Sequence, residues 1–151
     1  MIFAICLQMD CISNIQKLAW AKLTEAECLF EKHHWDGAYY TAGYTIELML
    51  KAGICKTFGI ENFYDENSGI LKQLKFPQTF KSHDFEQLLL LSGVYTGLKR
   101  VILSDLALQA QWSSVCEWSE EVRYSGGKTA QDVETFLISV LGIALWIEKQ
   151  L

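Results

Sequence analysis

The chain has 151 residues, of which 50% are hydrophobic and 13% aromatic, and its formal net charge is -5. This length suits one domain with a sizeable core, and the apolar content excludes a disordered chain. The acidic balance excludes a broad basic surface for duplex nucleic acid, although it is compatible with a small local anion site.

The cysteines and the N-terminal segment indicate the cellular compartment. Five cysteines are scattered without any C-x-x-C pair, so neither a zinc site nor a disulfide framework is predicted. The N-terminal run MIFAICLQMDCI is too short to span a bilayer and lacks the charged start of a signal peptide. We therefore expect a cytoplasmic protein without a membrane partner, with an N-terminal extension over 1–12, a helical domain over 13–151, and Met1 or Met9 as its start.

The first predicted helix runs from about residue 13 to 32. Ser13 followed by Gln16 resembles a capping box at its start. Apolar residues then recur at helical spacing from Ile15 to Phe30, which gives this helix one side that faces a core.

A second helix is predicted over 36–57, with Asp36 as its cap. It is apolar nearly all round, and a helix of this kind lies at the centre of its domain. Gly43 and Gly53 inside it indicate positions where another part of the chain packs closely. Regular spacing then stops over 58–82, where a single short helical piece is expected at 70–75.

Helical spacing returns in the C-terminal half. A short helix is predicted after Asp84, a longer one from the 98–105 region to about Ser119, and a last helix that Thr129 and Asp132 open. The single proline of the chain also favours helices over a loop-rich all-β fold. The sequence thus predicts an all-α, single-domain antiparallel bundle of about five helices.

Polar side chains interrupt the apolar helices at a few positions. Tyr40, Tyr44, Glu47 and Lys51 are spaced so that they share one face of the second helix. Buried polar groups need partners, so this face predicts either a structural ion pair between Glu47 and Lys51 or part of a binding site.

Two dipeptides contain the remaining candidate site residues. His83 precedes Asp84 at the start of the third helix, where the simplest interpretation is a helix cap with a hydrogen-bonded histidine. Arg123 and Tyr124 precede a glycine turn. The arginine there suits either the carbonyls at a helix C-terminus or a bound phosphate.

Two apparent motifs are rejected. The segment 125–129 ends in Gly-Lys-Thr like a phosphate-binding P-loop, but residue 122 is Val and no strand precedes it, so we interpret it as a turn before the cap Thr129. The adjacent His33 and His34 lie in a turn with no second ligand cluster. No metal and no cofactor are expected.

Four stretches of the chain are informative when they are taken together. They are DGAYYTAGYTIELMLKAGI at 36–54, SHDFEQLLLLSG at 82–93, WSSVCEWSEEVRY at 112–124 and DVETFLISVLGIALWI at 132–147. In this order and spacing they resemble the HEPN domain family of bacteria and archaea over most of the chain. The resemblance implies a bundle of four or five helices, often a homodimer. It also implies a role beside a small nucleotidyltransferase in a toxin–antitoxin pair, or as a metal-independent RNase in immunity.

RNase members of the family carry an arginine followed four to six residues later by a histidine. Arg123 matches the arginine, but residues 127–129 are Gly, Lys and Thr, and no histidine follows His83. Cleavage of RNA without metal needs a group that moves the 2′-OH proton, whereas an arginine supplies only charge stabilisation. The sequence therefore favours a non-catalytic module that binds a nucleotide, an RNA end or a nucleotidyltransferase. The alternative is an RNase toxin with a degenerate site in which His83 substitutes.

The predicted ligand site is a groove formed by the polar residues of three segments. Arg123 would bind phosphate, while Tyr44 or Tyr124 would stack or hydrogen-bond. Glu47 would orient Arg123 or Lys51. A third hypothesis is that these residues form only a buried structural network. The full predicted set is Arg123, Tyr124, Glu47, Lys51, Tyr44, His83 and Asp84.

Overall fold

The structure, a computed structural model, describes residues 11–61 and 82–151. Its elements in chain order are α1 (Cys11–Glu31), α2 (Trp35–Phe58), α3 (Phe85–Leu91), α4 (Tyr95–Val101), α5 (Leu106–Cys116), a 3₁₀ helix (Glu120–Tyr124) and α6 (Ala130–Glu148). No strand occurs within these ranges, so the all-α prediction is confirmed. The helical piece expected at 70–75 and most of the N-terminal extension lie outside the described residues.

Helix α2 is the centre of the bundle, as its sequence predicts. It packs against α1, α6, α3 and the 3₁₀ helix, and it is buried along most of its length. Its side chains meet the last helix through Tyr39 and Phe136, whose rings stack with centroids 4.1 Å apart. Both ends of the chain therefore contribute to the environment of this one helix.

The first two helices lie within two residues of their predicted bounds, but their predicted caps are wrong. Helix α1 begins at Cys11, so Ser13 lies inside the helix and cannot form a capping box at its start. Helix α2 begins at Trp35, and no side chain caps it. The carboxylate of Asp36 instead accepts hydrogen bonds from the backbone N–H groups of Gly127 at 3.3 Å and Lys128 at 2.9 Å. The Asp36 carboxylate therefore binds a turn that is distant in sequence and does not cap α2.

Helix α3 begins as predicted, because Asp84 is its cap. The Asp84 carboxylate accepts hydrogen bonds from the backbone N–H of Glu86 at 2.9 Å and of Gln87 at 3.2 Å. These bonds satisfy donors that have no partner within the first turn of a helix. Asp84 therefore has a structural task that is independent of any ligand.

The helix predicted from the 98–105 region to about Ser119 is present as α5, which ends three residues earlier, and a separate helix, α4, precedes it. Helix α4 ends at Val101, and α5 begins after Asp105, whose side chain accepts a hydrogen bond from the backbone N–H of Leu108. Helix α5 ends at Cys116, and a 3₁₀ helix without buried residues follows. The chain leaves the helical path because Trp118 turns inward and becomes buried against α2. Arg123 therefore does not lie at the C-terminus of a long helix.

Helix α6 begins with the predicted cap. Thr129 and Asp132 form a capping box, in which the backbone N–H and then the hydroxyl of Thr129 lower the pKa of the Asp132 carboxyl. Among the described helices, α6 alone is long and apolar enough to cross a membrane. Its buried side, which includes Phe136, Val140 and Ile143, supplies part of the core of the bundle.

Replacing Thr129 by alanine is expected to lower the free energy of unfolding by about 1 kcal/mol, because the first turn of α6 loses its cap. The matched control is Thr24→Ala on α1, where the threonine hydroxyl bonds only to the backbone carbonyl of Trp20 inside a helix. That control is expected to change stability by less than about 0.5 kcal/mol. Urea unfolding of both variants measures the difference, and equal losses would contradict the role of the cap.

Candidate functional site

The site is built on an ion pair inside the bundle. Lys51 Nζ donates to Glu47 Oε1 at 2.6 Å, one turn apart on α2. The two residues are only 7% and 3% exposed, respectively. Charges at this depth are tolerated only when they are paired and hydrogen-bonded. The pair that the sequence spacing predicted therefore exists, and it lies in the interior rather than on a solvated face.

A histidine links this pair to a second segment. His83 Nδ1 lies 2.7 Å from Glu47 Oε2, and His83 Nε2 lies 2.9 Å from Glu120 Oε2. Glu47 is fixed on α2, while Glu120 is the first residue of the 3₁₀ helix. The imidazole thus bridges two carboxylates from two elements, and both of its nitrogens are engaged.

Two tyrosines extend the polar network along α2. The hydroxyls of Tyr40 and Tyr44 lie 2.7 Å apart, and the Tyr44 ring meets the His83 ring edge-on at a centroid distance of 6.3 Å. Burial, followed by the hydrogen bond with Tyr40, raises the pKa of the Tyr44 hydroxyl. Tyr44 is therefore a neutral hydroxyl at physiological pH, available as a hydrogen-bond partner and not as a base.

Trp118 seals the network from the other side. Its indole N–H donates to the backbone carbonyl of Tyr40 at 3.2 Å, and its ring stacks on Phe85 with centroids 5.2 Å apart. The indole lies directly over Gly43, in the space that a Cβ atom there would need. The absence of a side chain at Gly43 thus lets the segment after α5 dock on α2, and this docking positions the 3₁₀ helix.

The 3₁₀ helix presents a cation and an aromatic ring to solvent. The Arg123 guanidinium lies over the Tyr124 ring, 4.8 Å from its centroid, and Tyr124 is 80% exposed. The neighbouring Tyr124 and then the hydroxyl of Tyr40 raise the pKa of the Arg123 side chain, which remains a cation at any physiological pH. Lys128 lies over the ring of Tyr39 at 4.1 Å. Two cations therefore lie against consecutive tyrosines of α2.

A depression of about 500 Å³ lies beside His83, which is one of its lining residues. Four of its ten lining residues are acidic, namely Asp84, Glu86, Glu120 and Glu121. Desolvation by the surrounding protein, followed by the charge of Glu86, raises the pKa of the Cys116 thiol in this lining to about 11. That thiol is protonated at neutral pH and is not an activated nucleophile. Within 11–61 and 82–151, no group of three or more His, Cys, Asp or Glu residues could hold a metal ion.

The structure brings together most of the predicted site residues. Glu47, Lys51 and His83 form one contact network, with Tyr44 packed against the histidine. Arg123 lies beside this network through Tyr40 and Tyr44, while Tyr124 lies outside it, exposed beneath the guanidinium. Asp84 lies at the edge of the depression, with its carboxylate used by the cap of α3. Of the two partners predicted for Glu47, Lys51 is the one it contacts.

Three residues of this site are absent from the predicted set. Glu120 adjoins Glu121 in the sequence, and nothing in the local pattern shows which of them would reach His83. Trp118 occupies what looks like an ordinary apolar helix position. Because it is far from Gly43 in sequence, their close approach cannot be predicted from the local pattern. Tyr40 was recognised on the shared face but was not assigned to the site, although its hydroxyl joins Tyr44.

No family model, curated protein or solved structure matches the chain. The resemblance to the HEPN domain family therefore remains a prediction from the sequence. What can be concluded about function depends on the chemistry of the residues described above.

Proposed function

We propose that this protein is a non-catalytic binding module for a phosphate-bearing ligand, namely a nucleotide or an RNA end. The observation that carries the proposal is the exposed Arg123 guanidinium stacked on the exposed Tyr124 ring. An arginine fork suits phosphate oxygens, and an exposed aromatic face suits a nucleobase. An interaction surface with this pair at its centre would offer both contacts to the same ligand.

The surroundings of Arg123 support a site for an anion on this side of the molecule. Arg123 itself lies against the hydroxyl of Tyr40. The Tyr44 and Tyr40 hydroxyls, which are hydrogen-bonded to each other, offer a neutral partner for a phosphate or sugar oxygen. The carboxylates of the depression beside His83 would repel phosphates, so they favour a small ligand at Arg123 over a long strand across the whole surface.

The position of His83 favours binding over catalysis. A general base must have a ring nitrogen within reach of the 2′-OH proton. Both nitrogens of His83 already lie within 2.7 Å and 2.9 Å of carboxylate oxygens. An RNase of the alternative type would need to release one of these contacts in every catalytic cycle. Arg123 and His83 nevertheless lie near the same tyrosine pair, Tyr40 and Tyr44. This proximity is the reason to assay RNase activity directly.

The proposal also covers the cellular role that the HEPN resemblance implies. In that role the module would be a homodimer and would work with a small nucleotidyltransferase in a toxin–antitoxin or defence pair. The support for this part is the resemblance of the four sequence stretches together with the all-helical fold. Size-exclusion chromatography with light scattering would test the homodimer.

Replacing Arg123 by glutamine is expected to weaken the binding of nucleotides and short RNAs at least about tenfold, because a charge-assisted contact to phosphate is lost. The matched control is Arg100→Gln, which removes the other arginine of the chain from an exposed position on α4. Isothermal titration with nucleoside monophosphates, nucleoside diphosphates and a hexanucleotide RNA measures both variants. We expect Arg100→Gln to bind as the parent does.

The same proteins separate the competing hypotheses. Unchanged binding by Arg123→Gln, or an equal loss in both arginine variants, would contradict the assignment of the site. RNA cleavage by the parent that disappears in Arg123→Gln and in His83→Gln would establish the RNase alternative. Absence of binding to every probe, together with capture of a nucleotidyltransferase, would assign the function to a protein partner.

A further inference from the structure

His83 connects the rigid centre of the bundle to the element that carries the proposed ligand-binding arginine. One carboxylate that it contacts belongs to the buried Glu47, while the other belongs to Glu120, three residues before Arg123. The 3₁₀ helix itself has no buried residue. Val122 packs against the core and Arg123 approaches the hydroxyl of Tyr40, and the contact of His83 with Glu120 is a further tie between this helix and the bundle.

The protonation state of the imidazole decides whether both contacts are favourable. A protonated histidine donates from both nitrogens, whereas a neutral one donates from a single nitrogen and carries a lone pair on the other. Glu47 is buried and already accepts from Lys51, so it needs a donor on its second oxygen. The neutral ring therefore keeps its proton on Nδ1, towards Glu47. Its Nε2 lone pair then faces the carboxylate of Glu120, and that contact becomes repulsive.

We infer that His83 is a proton-dependent anchor, which fixes the 3₁₀ helix while the imidazole is protonated and releases it when the ring becomes neutral. The inference rests on the proposed function for its consequence, which is that anion binding at Arg123 weakens when the imidazole loses its proton. The sign follows from the geometry: the attraction between His83 and Glu120 exists at lower pH and is lost at higher pH.

The groups around His83 contain more carboxylates than cations. From α2 it faces Glu47, with Lys51 on the other carboxylate oxygen, and the neutral Tyr44 ring. From the 3₁₀ helix it faces Glu120. The depression beside it is lined by three further carboxylates, those of Asp84, Glu86 and Glu121. None of these groups other than Glu120 ties the imidazole to the 3₁₀ helix, so Glu120 is the residue to change.

The first test uses Glu120→Gln, with Glu121→Gln as a control that removes the same charge from the next position. A glutamine amide can donate to a neutral nitrogen and accept from a protonated one, so it holds the histidine in both forms. The readout is backbone amide exchange over 122–125, corrected for intrinsic rates, at about pH 6 and about pH 8.5, on either side of the histidine range.

In the parent and in Glu121→Gln, we expect protection over 122–125 to fall about tenfold between the two pH values, as the loss of one charge-assisted hydrogen bond allows. In Glu120→Gln the fall is expected to be less than about twofold, since its contact does not depend on charge. An equal response in the parent and Glu120→Gln would overturn the anchor. A pH response that is lost to the same extent in Glu121→Gln would overturn it as well.

A second measurement separates the anchor from the proposed function. The probe is a hexanucleotide RNA without terminal phosphates, because the charge of its phosphodiesters is constant over this pH range. Its affinity is measured at the same two pH values. A loss of affinity with rising pH in the parent but not in Glu120→Gln supports both the anchor and the proposed function. A pH-dependent exchange without any RNA or nucleotide binding upholds the anchor and refutes the proposed function. Binding that is independent of pH, with equal exchange in both proteins, upholds the function and refutes the anchor.

Discussion

Replacing Glu47 by glutamine is expected to lower the free energy of unfolding by about 3–5 kcal/mol, the cost of breaking a buried ion pair by removing one partner. Glu47 is 3% exposed, and its two carboxylate oxygens contact Lys51 and His83. The substitution keeps the shape of the side chain but removes the charge that both neighbours face. Lys51, which is 7% exposed, keeps its own charge in the interior. Chemical denaturation at neutral pH measures the loss.

The matched control for this prediction is Glu25→Gln. Glu25 forms a salt bridge with Lys22 at the same 2.6 Å distance, also within one helix, but its side chain is 53% exposed. Water and salt screen that pair, so the control is expected to lose less than about 0.5 kcal/mol. Similar losses in the two variants would show that burial of the Glu47 pair contributes nothing, and would contradict the description of this network as the structural base of the site.

Replacing Gly43 by alanine is expected to lower the free energy of unfolding by about 3 kcal/mol, at the upper end of the usual cost of overpacking a core. A Cβ atom at this position would penetrate the indole of Trp118. That ring cannot move away easily, because it stacks on Phe85 and donates a hydrogen bond to the backbone of Tyr40. Thermal and urea unfolding would record the loss.

The control for this second prediction is Gly97→Ala on α4. A Cβ atom there would lie 3.4 Å from the nearest atom of the Trp146 ring, which is an ordinary contact. Alanine favours the helix over glycine by up to about 1 kcal/mol, so this variant is expected to be as stable as the parent or slightly more stable. A neutral effect at Gly43 would contradict the close approach of Trp118 to α2. In that case the position of the 3₁₀ helix would need revision.

Local signals in the sequence predicted those parts of the fold that depend on local interactions. Asp84 and Thr129 cap their helices because their acceptors lie within three residues of the donors they satisfy. The central position of α2 follows from its apolar residues on every side. The ion pair between Glu47 and Lys51 follows from helical spacing, which places residues four apart on one face.

The remaining features depend on contacts that no local pattern contains. Trp118 turns inward after α5 because Gly43, far away in the chain, leaves room for its ring. Asp36 does not cap α2, because the amides of Gly127 and Lys128 compete for its carboxylate. The contact of Glu120 with His83 joins two segments that are each irregular in sequence, and the choice between Glu120 and Glu121 is made only by the tertiary fold.

The arrangement of helices around α2 has a consequence for the synthesis of the chain. Helix α2 packs against α1, which precedes it, and against α6, which is translated much later. The bond from Trp20 to Glu148, 128 positions apart in sequence, can form only after Glu148 has left the ribosome. At about 5–20 residues per second, one side of α2 stays uncovered for several seconds. During that interval the nascent chain exposes apolar side chains of its central helix, and chaperones have a surface to bind.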